Sequence, residues 1–270
     1  MKKITLLIAI FLMGLQICNA QYYTEKMSVI ALGSFTGKYA DELHNAVIAS
    51  AAKCRVGVTL LEWEDIQDNP DIVASVDYIL SGSTGEITTN VTRGDSYTFY
   101  LCTLPFSLTM MNASTGQVVD SRNTSRKSNY TDQNSSLNDV VKLDGSVRSE
   151  YNALVYKNCS IRVPIQVIQD VKKNRVETVI IAGGSDIGIR DELTFDVQME
   201  SEIAGKKIYK NIGEAKVKEI LSGEMTLCTI TKGNKEIMKL LDDDITVVLT
   251  SNSKDNFGEA MNKIGGFLFH

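Results

Sequence analysis

Met27–Leu32, MSVIAL, is a short run of apolar and β-prone residues that predicts a buried strand. The period then changes. In YADELHNAVIASAAK the positions Ala40, Leu43, Val47, Ile48 and Ala51 recur at helical spacing. Asp41 and Glu42 stand at the front of that helix and Lys53 and Arg55 at its end, as the helix dipole favours. VGVTLLE (Val56–Glu62) predicts a second strand, and NPDIVASV a short helix opening at Pro70. DYILSGSTGEITTNVT (Asp77–Thr92) predicts one continuous third strand, and RGDS a turn into the long strand YTFYLCTLPFSLTMMN (Tyr97–Asn112). Pro105 has no N–H to donate, so it should sit at an edge or a bulge. ASTGQ (Ala113–Gln117) predicts a hairpin turn into VVDSRNTSRKS, and the polar stretch Asn129–Asn138 leads to a helix ending near Tyr156. The order β-α-β-α-β-β-β-α predicts an α/β sandwich around one mixed sheet.

Near residue 160 the pattern changes. PIQVIQDVKK, ETVIIAGG, DELTFDVQME, IGEAKVKEIL, MTLCTITKG and DITVVLTS are short strand-like runs between Gly, Asn and Lys turns. Such spacing predicts a small closed barrel. NFGEAMNKIGGFLFH reads as a short helix and an apolar tail. The fold class expected is α+β or α/β: a mixed-sheet sandwich at 21–160, a β-barrel domain at 161–251, and a tail at 252–270.

The first twenty residues stand outside that fold. Met1-Lys2-Lys3 is a basic start, Ile4–Leu15 an apolar run, and CNA a cleavage site before Gln21. The run is short for a membrane span, so it reads as a signal peptide and the mature chain as exported. Ile17 stands before Cys18 where a lipoprotein needs a small residue, which argues against lipidation. Removing Lys2 and Lys3 from 28 basic residues leaves 26 against 33 acidic, a net charge of −7. A phosphate-backbone binder needs concentrated positive charge. SRNTSRKS (Ser121–Ser128) and VKKNRVE (Val171–Glu177) are short, broken clusters, so no nucleic-acid partner is expected. Cys54, Cys102, Cys159 and Cys228 follow the leader and allow three pairings or buried free thiols, with free thiols slightly favoured; no zinc spacing is present.

Motifs with a chemical look fail on spacing. GSFTGKY has one residue too few between Gly33 and Gly37 for a phosphate loop, and Tyr39 stands where a Ser or Thr hydroxyl is needed. AGGSDIGIRDEL (Ala182–Leu193) precedes a strand instead of a helix, so it predicts a tight turn with positive-φ glycines. The two histidines are His44 and His270, from which no triad is built. LLDDDIT (Leu240–Thr246) lacks calcium-loop spacing and reads as a solvated acidic turn. The Asn-x-Ser/Thr triplets at Asn90, Asn112, Asn123, Asn129, Asn134 and Asn158 would be glycan acceptors in a eukaryotic secretory protein and incidental in a bacterial envelope protein; the Met-Lys-Lys start favours the second. No catalytic, metal or cofactor residue is expected.

FTGKYADELHNAVIASAAK, VDYILSGSTGEI and LTMMNASTGQVVDS, in that order, resemble the CsgG family of the curli secretion apparatus and its penicillin-binding-protein-activator relatives, over about Met27–Tyr156. VIIAGGSDIGIRDELTFDV and IGEAKVKEI resemble the C-terminal domain of the flagellar protein FlgT, over about Val163–Ser251. The resemblance implies a non-enzymatic envelope protein, in the periplasm or at the outer-membrane periphery of a Gram-negative bacterium. It would work through contacts with other envelope proteins or with itself, in one form as a ring. Channel activity is not carried over, because DSRNTSRKSNYTDQNSS could not face lipid. An outer-membrane secretion-channel subunit and a periplasmic ligand-binding protein are the alternatives. The partner surfaces expected are the helix face at Glu42, His44 and Asn45 and the polar segment Arg122–Asn134, with Arg122, Arg126 and Lys127.

Overall fold

In the computed structural model, residues 23–203, 206–243 and 245–252 are described, so the leader and the NFGEAM tail lie outside them. They divide into two compact units: Met27–Ser160, and Ile161–Asn252 joined by residues 23–26.

The first unit is a six-stranded mixed sheet under helices. β1 (Val29–Thr36) lies between β2 (Thr59–Glu62) and β3 (Tyr78–Thr84), parallel to both. The crossover to β2 runs through α1 (Ala40–Lys53). The return to β3 runs through α2 (Trp63–Ile66) and α3 (Pro70–Ser75). Because the two crossovers move in opposite directions along the sheet, right-handedness sends them to opposite faces. α1 buries Leu43, Ala46, Val47, Ser50 and Ala51. Ile48, expected on that face, is 40% exposed, because the 3.6-residue period passes through Ala46 and Ser50 instead.

β5 (Thr98–Asn112) continues the sheet antiparallel to β3, and β6 (Val118–Tyr130) pairs with β5 along nearly its whole length. The run expected as one third strand is two. β3 ends opposite Phe106, β4 (Thr88–Arg93) begins opposite Thr103, and Gly85 marks the break. Pro105 sits at that gap. Its carbonyl accepts the Gly85 N–H at 2.9 Å, on the side of β5 that β3 and β4 share, at the one stretch where neither of them pairs. A residue without an N–H thus occupies the place where the ladder is interrupted.

The polar stretch after β6 is itself partly helical, as α4 (Gln133–Val140). Asp132 caps it by accepting the Ser135 N–H at 2.6 Å, and Ser136 and Val140 are fully buried. α5 (Asp144–Asn158) follows and packs on α1. Between helices and sheet lie Leu43, Val47, Leu80, Leu104, Leu108, Met110, Val147, Tyr151 and Leu154, all 0% exposed. On the other face a smaller cluster of Ala31, Ile66 and Val76 packs with Trp63 and Ile79.

The second unit is the expected barrel. β7 (Arg162–Val171), β8 (Val176–Ala182), β9 (Thr194–Ile203), β10 (Lys206–Ile220), β11 (Met225–Lys232) and β12 (Val247–Asn252) close in the order β10-β11-β8-β7-β12-β9. Val163, Val179, Ile181, Phe195, Val197, Cys228 and Leu249 are 0% exposed. The β9–β10 hairpin extends through SEI and KKIYKN, beyond the runs read as strands in the sequence. α6 (Asn234–Asp242) was not foreseen; it buries Ile237 and takes in the first residues of LLDDDIT as its last turn. Of the three glycines in AGGSDIGIR only Gly188 has positive φ (+88°). Gly184 serves another need, since a Cβ there would overlap the Ser222 carbonyl. Thr24 joins the barrel unit by donating its N–H to the Arg162 carbonyl at 2.8 Å.

Candidate functional site

The β5–β6 hairpin is the most distinctive element of the first unit. Its turn is built by Asn112, whose Oδ1 accepts from Ser114 Oγ (2.8 Å), Thr115 N–H (2.9 Å) and Thr115 Oγ1 (3.0 Å). Gly116 closes the turn with φ +68°. Beyond the turn, β6 is an edge: among the described residues it pairs with β5 alone.

The two faces of this ribbon differ. Toward the helices, Asp120 Oδ2 accepts from Arg122 Nη2 and from Lys157 Nζ of α5, each at 3.0 Å, and Arg126 Nη2 donates to Asp139 Oδ2 of α4 at 3.0 Å. Ser136 of α4, 0% exposed, donates its hydroxyl to the Tyr100 carbonyl of β5 at 2.7 Å. These contacts tie the outer strand to the helix layer. Burial alone would raise the Asp120 carboxyl; Lys157, Arg122 and the Ser121 N–H outweigh it and hold the carboxyl below its ordinary value. A carboxylate whose pKa is depressed in the fold contributes stability above its unfolded pKa, and the contribution fades as pH falls through the folded value. Acid unfolding of Asp120→Asn below about pH 4 should therefore be less steep than that of the parent, as followed by circular dichroism.

The opposite face carries hydroxyls in register. Ser81, Thr109 and Ser121 form one row across β3, β5 and β6, and Ser83, Ser107 and Asn123 the next. Within these rows Ser83 Oγ lies 2.7 Å from Ser107 Oγ, and Thr109 Oγ1 3.2 Å from Ser121 Oγ. The ends of the ribbon are apolar and open to solvent. Val118 is 59% exposed and Val119 37% at one end; at the other, Val91 is 47%, Tyr97 54% and Tyr130 44%. Val91, Tyr100 and Tyr130 lie directly across from one another, and the Tyr97 and Phe99 rings are 5.1 Å apart.

The residues singled out in the sequence fall at different depths. Glu42 and Asn45 are exposed on α1. His44 is half-buried; its Nε2 lies 3.1 Å from Glu62 Oε2 of β2 and its ring meets Phe35 of β1 edge-on at 5.0 Å. His44 is therefore held between helix and sheet. Arg122 and Arg126 share one side of β6 and are engaged in the ion pairs just described; Lys127 is exposed. The exposed Val and Tyr residues at the ribbon ends were not picked out in advance, although VVDS and YTFY carry them. Which residues of a β-run are left open depends on the strand beside them.

A recess of about 410 Å³ lies beside the ribbon, lined by Lys38, Tyr39, Glu86, Ile87, Leu137 and Asn138. The GSFTGKY turn borders it, but Gly37 has a structural reason to be glycine: φ is +98° and Thr84 closes over its Cα. Among the described residues no group of three His, Cys, Asp or Glu side chains could hold a metal ion, and no helix is long and apolar enough to cross a membrane.

No protein-family model and no curated protein matches the chain. Solved structures do show likeness to it. A minor lipoprotein of Acinetobacter baumannii is 12% identical, with a TM-score of 0.32, over 47% of this chain and 94% of that one. Lipoprotein GNA1162 of Neisseria meningitidis is 14% identical, with a TM-score of 0.29, over 48% and 96%. The PelC dodecamer of Paraburkholderia phytofirmans is 14% identical, with a TM-score of 0.28, over 44% and 86%. Likeness of this degree carries no functional argument, so function rests on the ribbon itself.

Proposed function

We propose that this chain is an exported accessory or assembly protein of the bacterial cell envelope, acting through protein contacts and self-association and without catalysis. The motifs that resemble CsgG and the FlgT C-terminal domain support this reading, as does the basic and apolar start of the sequence. Its place would be the periplasm or the periphery of the outer membrane. The observation that carries the proposal is the edge strand β6, 13 residues long, with exposed Val118, Val119 and Tyr130. Long edges with apolar side chains invite pairing and are commonly covered or blunted. Tyr residues at such a place are also efficient anchors in an interface. The hydroxyl-rich face beside the edge supplies hydrogen-bonding rows for the rim of a contact.

The test is photo-crosslinking in cells. A crosslinking amino acid at the exposed position Asn123 of β6 should yield a discrete adduct containing a second copy of the chain. The same group at exposed Lys218 of β10 should yield none. Absence of an adduct at Asn123, or equal yields at both positions, would contradict the proposal.

A further inference from the structure

The sequence leaves the pairing of Cys54, Cys102, Cys159 and Cys228 open, and the fold brings one pair together. None of the four is in a disulfide in the structure, and all are buried. Cys228 lies in the barrel unit. Cys102 lies ten residues along β5 from Asn112, which pairs with the first residue of β3; this separates it from that end of the sheet by roughly 33 Å. It contacts Thr89 Oγ1 at 3.4 Å.

Cys54 and Cys159 come together by topology. Cys54 caps the C-terminus of α1, and Cys159 caps the C-terminus of α5, the helix packed on α1. The chain after Cys54 enters β2, whose first residue, Thr59, pairs with Val29 at the start of β1. Just before Cys159, the Asn158 carbonyl accepts the Tyr78 hydroxyl at 2.9 Å, at the start of β3. Both caps therefore lie over the same end of the sheet. They are 1% and 5% exposed. Ser28 hydrogen-bonds the Cys159 thiol, and Asp77 and Cys54 are near enough to act on its ionisation.

We propose that Cys54 and Cys159 close into a disulfide while the chain folds, clamping the C-terminal ends of α1 and α5. The proposal rests on the export reading, since the bond needs an oxidising compartment. The oxidant is a disulfide donor, glutathione disulfide or a dithiol oxidase in its disulfide form. One cysteine thiolate attacks the donor, forming a mixed disulfide and releasing one donor thiol. The second cysteine, as thiolate, displaces the other donor sulfur and forms the Cys54–Cys159 bond. Two protein thiols are oxidised by two electrons, their two protons pass to the donor, and the donor leaves as two thiols. Because packing leaves both side chains almost without solvent exposure, and the same burial pushes the Cys159 thiol up to about 12, closure belongs to the stage before the helix layer packs. Once formed, the bond is sealed from reductant by the same packing.

The experiment refolds residues 21–270 from denaturant in a reduced and oxidised glutathione couple, quenches with acid, and alkylates under denaturing conditions. Expected are two reactive thiols of four, with a Cys54–Cys159 bridged peptide on mass mapping. In Cys54→Ala all three remaining thiols should react. The oxidised protein should melt roughly 10 °C above the reduced one, since the bridge closes a loop of about one hundred residues. Four reactive thiols in the parent, or a bridge between other cysteines, would overturn the proposal. A bridge that forms in the glutathione couple but is missing from protein alkylated directly in cells would uphold the pairing and overturn the export reading.

Discussion

Gly37→Val should destabilise the first unit by about 2–6 kcal/mol in urea unfolding. Two costs combine. A β-branched residue at φ +98° is held in a region that L side chains rarely adopt, at about 1–3 kcal/mol. Its Cβ would also overlap the Thr84 carbonyl, forcing β3 away from the turn at about 1–3 kcal/mol more. Gly116→Ala separates the two costs. Its φ of +68° is also left-handed, but nothing lies within 4 Å of a Cβ there. It should lose only about 1 kcal/mol. If Gly37→Val unfolded like the parent, the glycine would have to be explained by something other than the fold.

The double variant Val118→Lys, Tyr130→Lys should weaken self-association more than tenfold and leave the urea midpoint of the unit within experimental error. Both side chains are exposed, 59% and 44%, so replacement costs the fold little. In an assembly they would be desolvated, and a buried lysine on each edge adds an unpaired charge to the loss of an apolar anchor. Equal association constants for variant and parent would exclude the β6 edge as the contact. An equal loss of stability and association would make the effect structural.

The strand–helix–strand opening of the chain is legible because each element keeps one period: MSVIAL is a largely apolar run whose Ile30, Ala31 and Leu32 are buried in β1, and the helix after it repeats every 3.6 residues. The hairpin at NASTGQ is legible because Asn112 and Gly116 supply local turn chemistry. The six barrel strands can be read for the same reason, from regular punctuation by Gly, Asn and Lys. What escapes is set by neighbours distant in sequence. Asp77–Thr92 has the composition of one strand, and only the register of β5 against it, with Pro105 at the break, divides it in two. Asn129–Asn138 is polar enough to pass for a loop, yet Asp132 caps a helix there and Ser136 satisfies its hydroxyl against β5. α6 escaped because its residues were divided between the turn after MTLCTITKG and the acidic run LLDDDIT, although Ile237, Leu240 and Leu241 recur at helical spacing.

The candidate surface was read in outline. Asp120 and Arg122 stand two apart on one face of β6, a pairing that strand alternation announces, whereas the Arg126 partner Asp139 lies on α4 and no local pattern points to it. The exposed edge itself cannot be seen in one sequence, because being an edge is a property of which strand is missing beside it. The hydroxyl rows likewise exist only when β3, β5 and β6 are in register.

The most direct test of an assembly protein built on this edge is its mass in solution. Residues 21–270, prepared without detergent, should show by multi-angle light scattering a concentration-dependent multimer of defined stoichiometry, which the Val118→Lys, Tyr130→Lys variant returns to monomer. A parent chain that remains monomeric at every concentration reached would contradict self-association through β6.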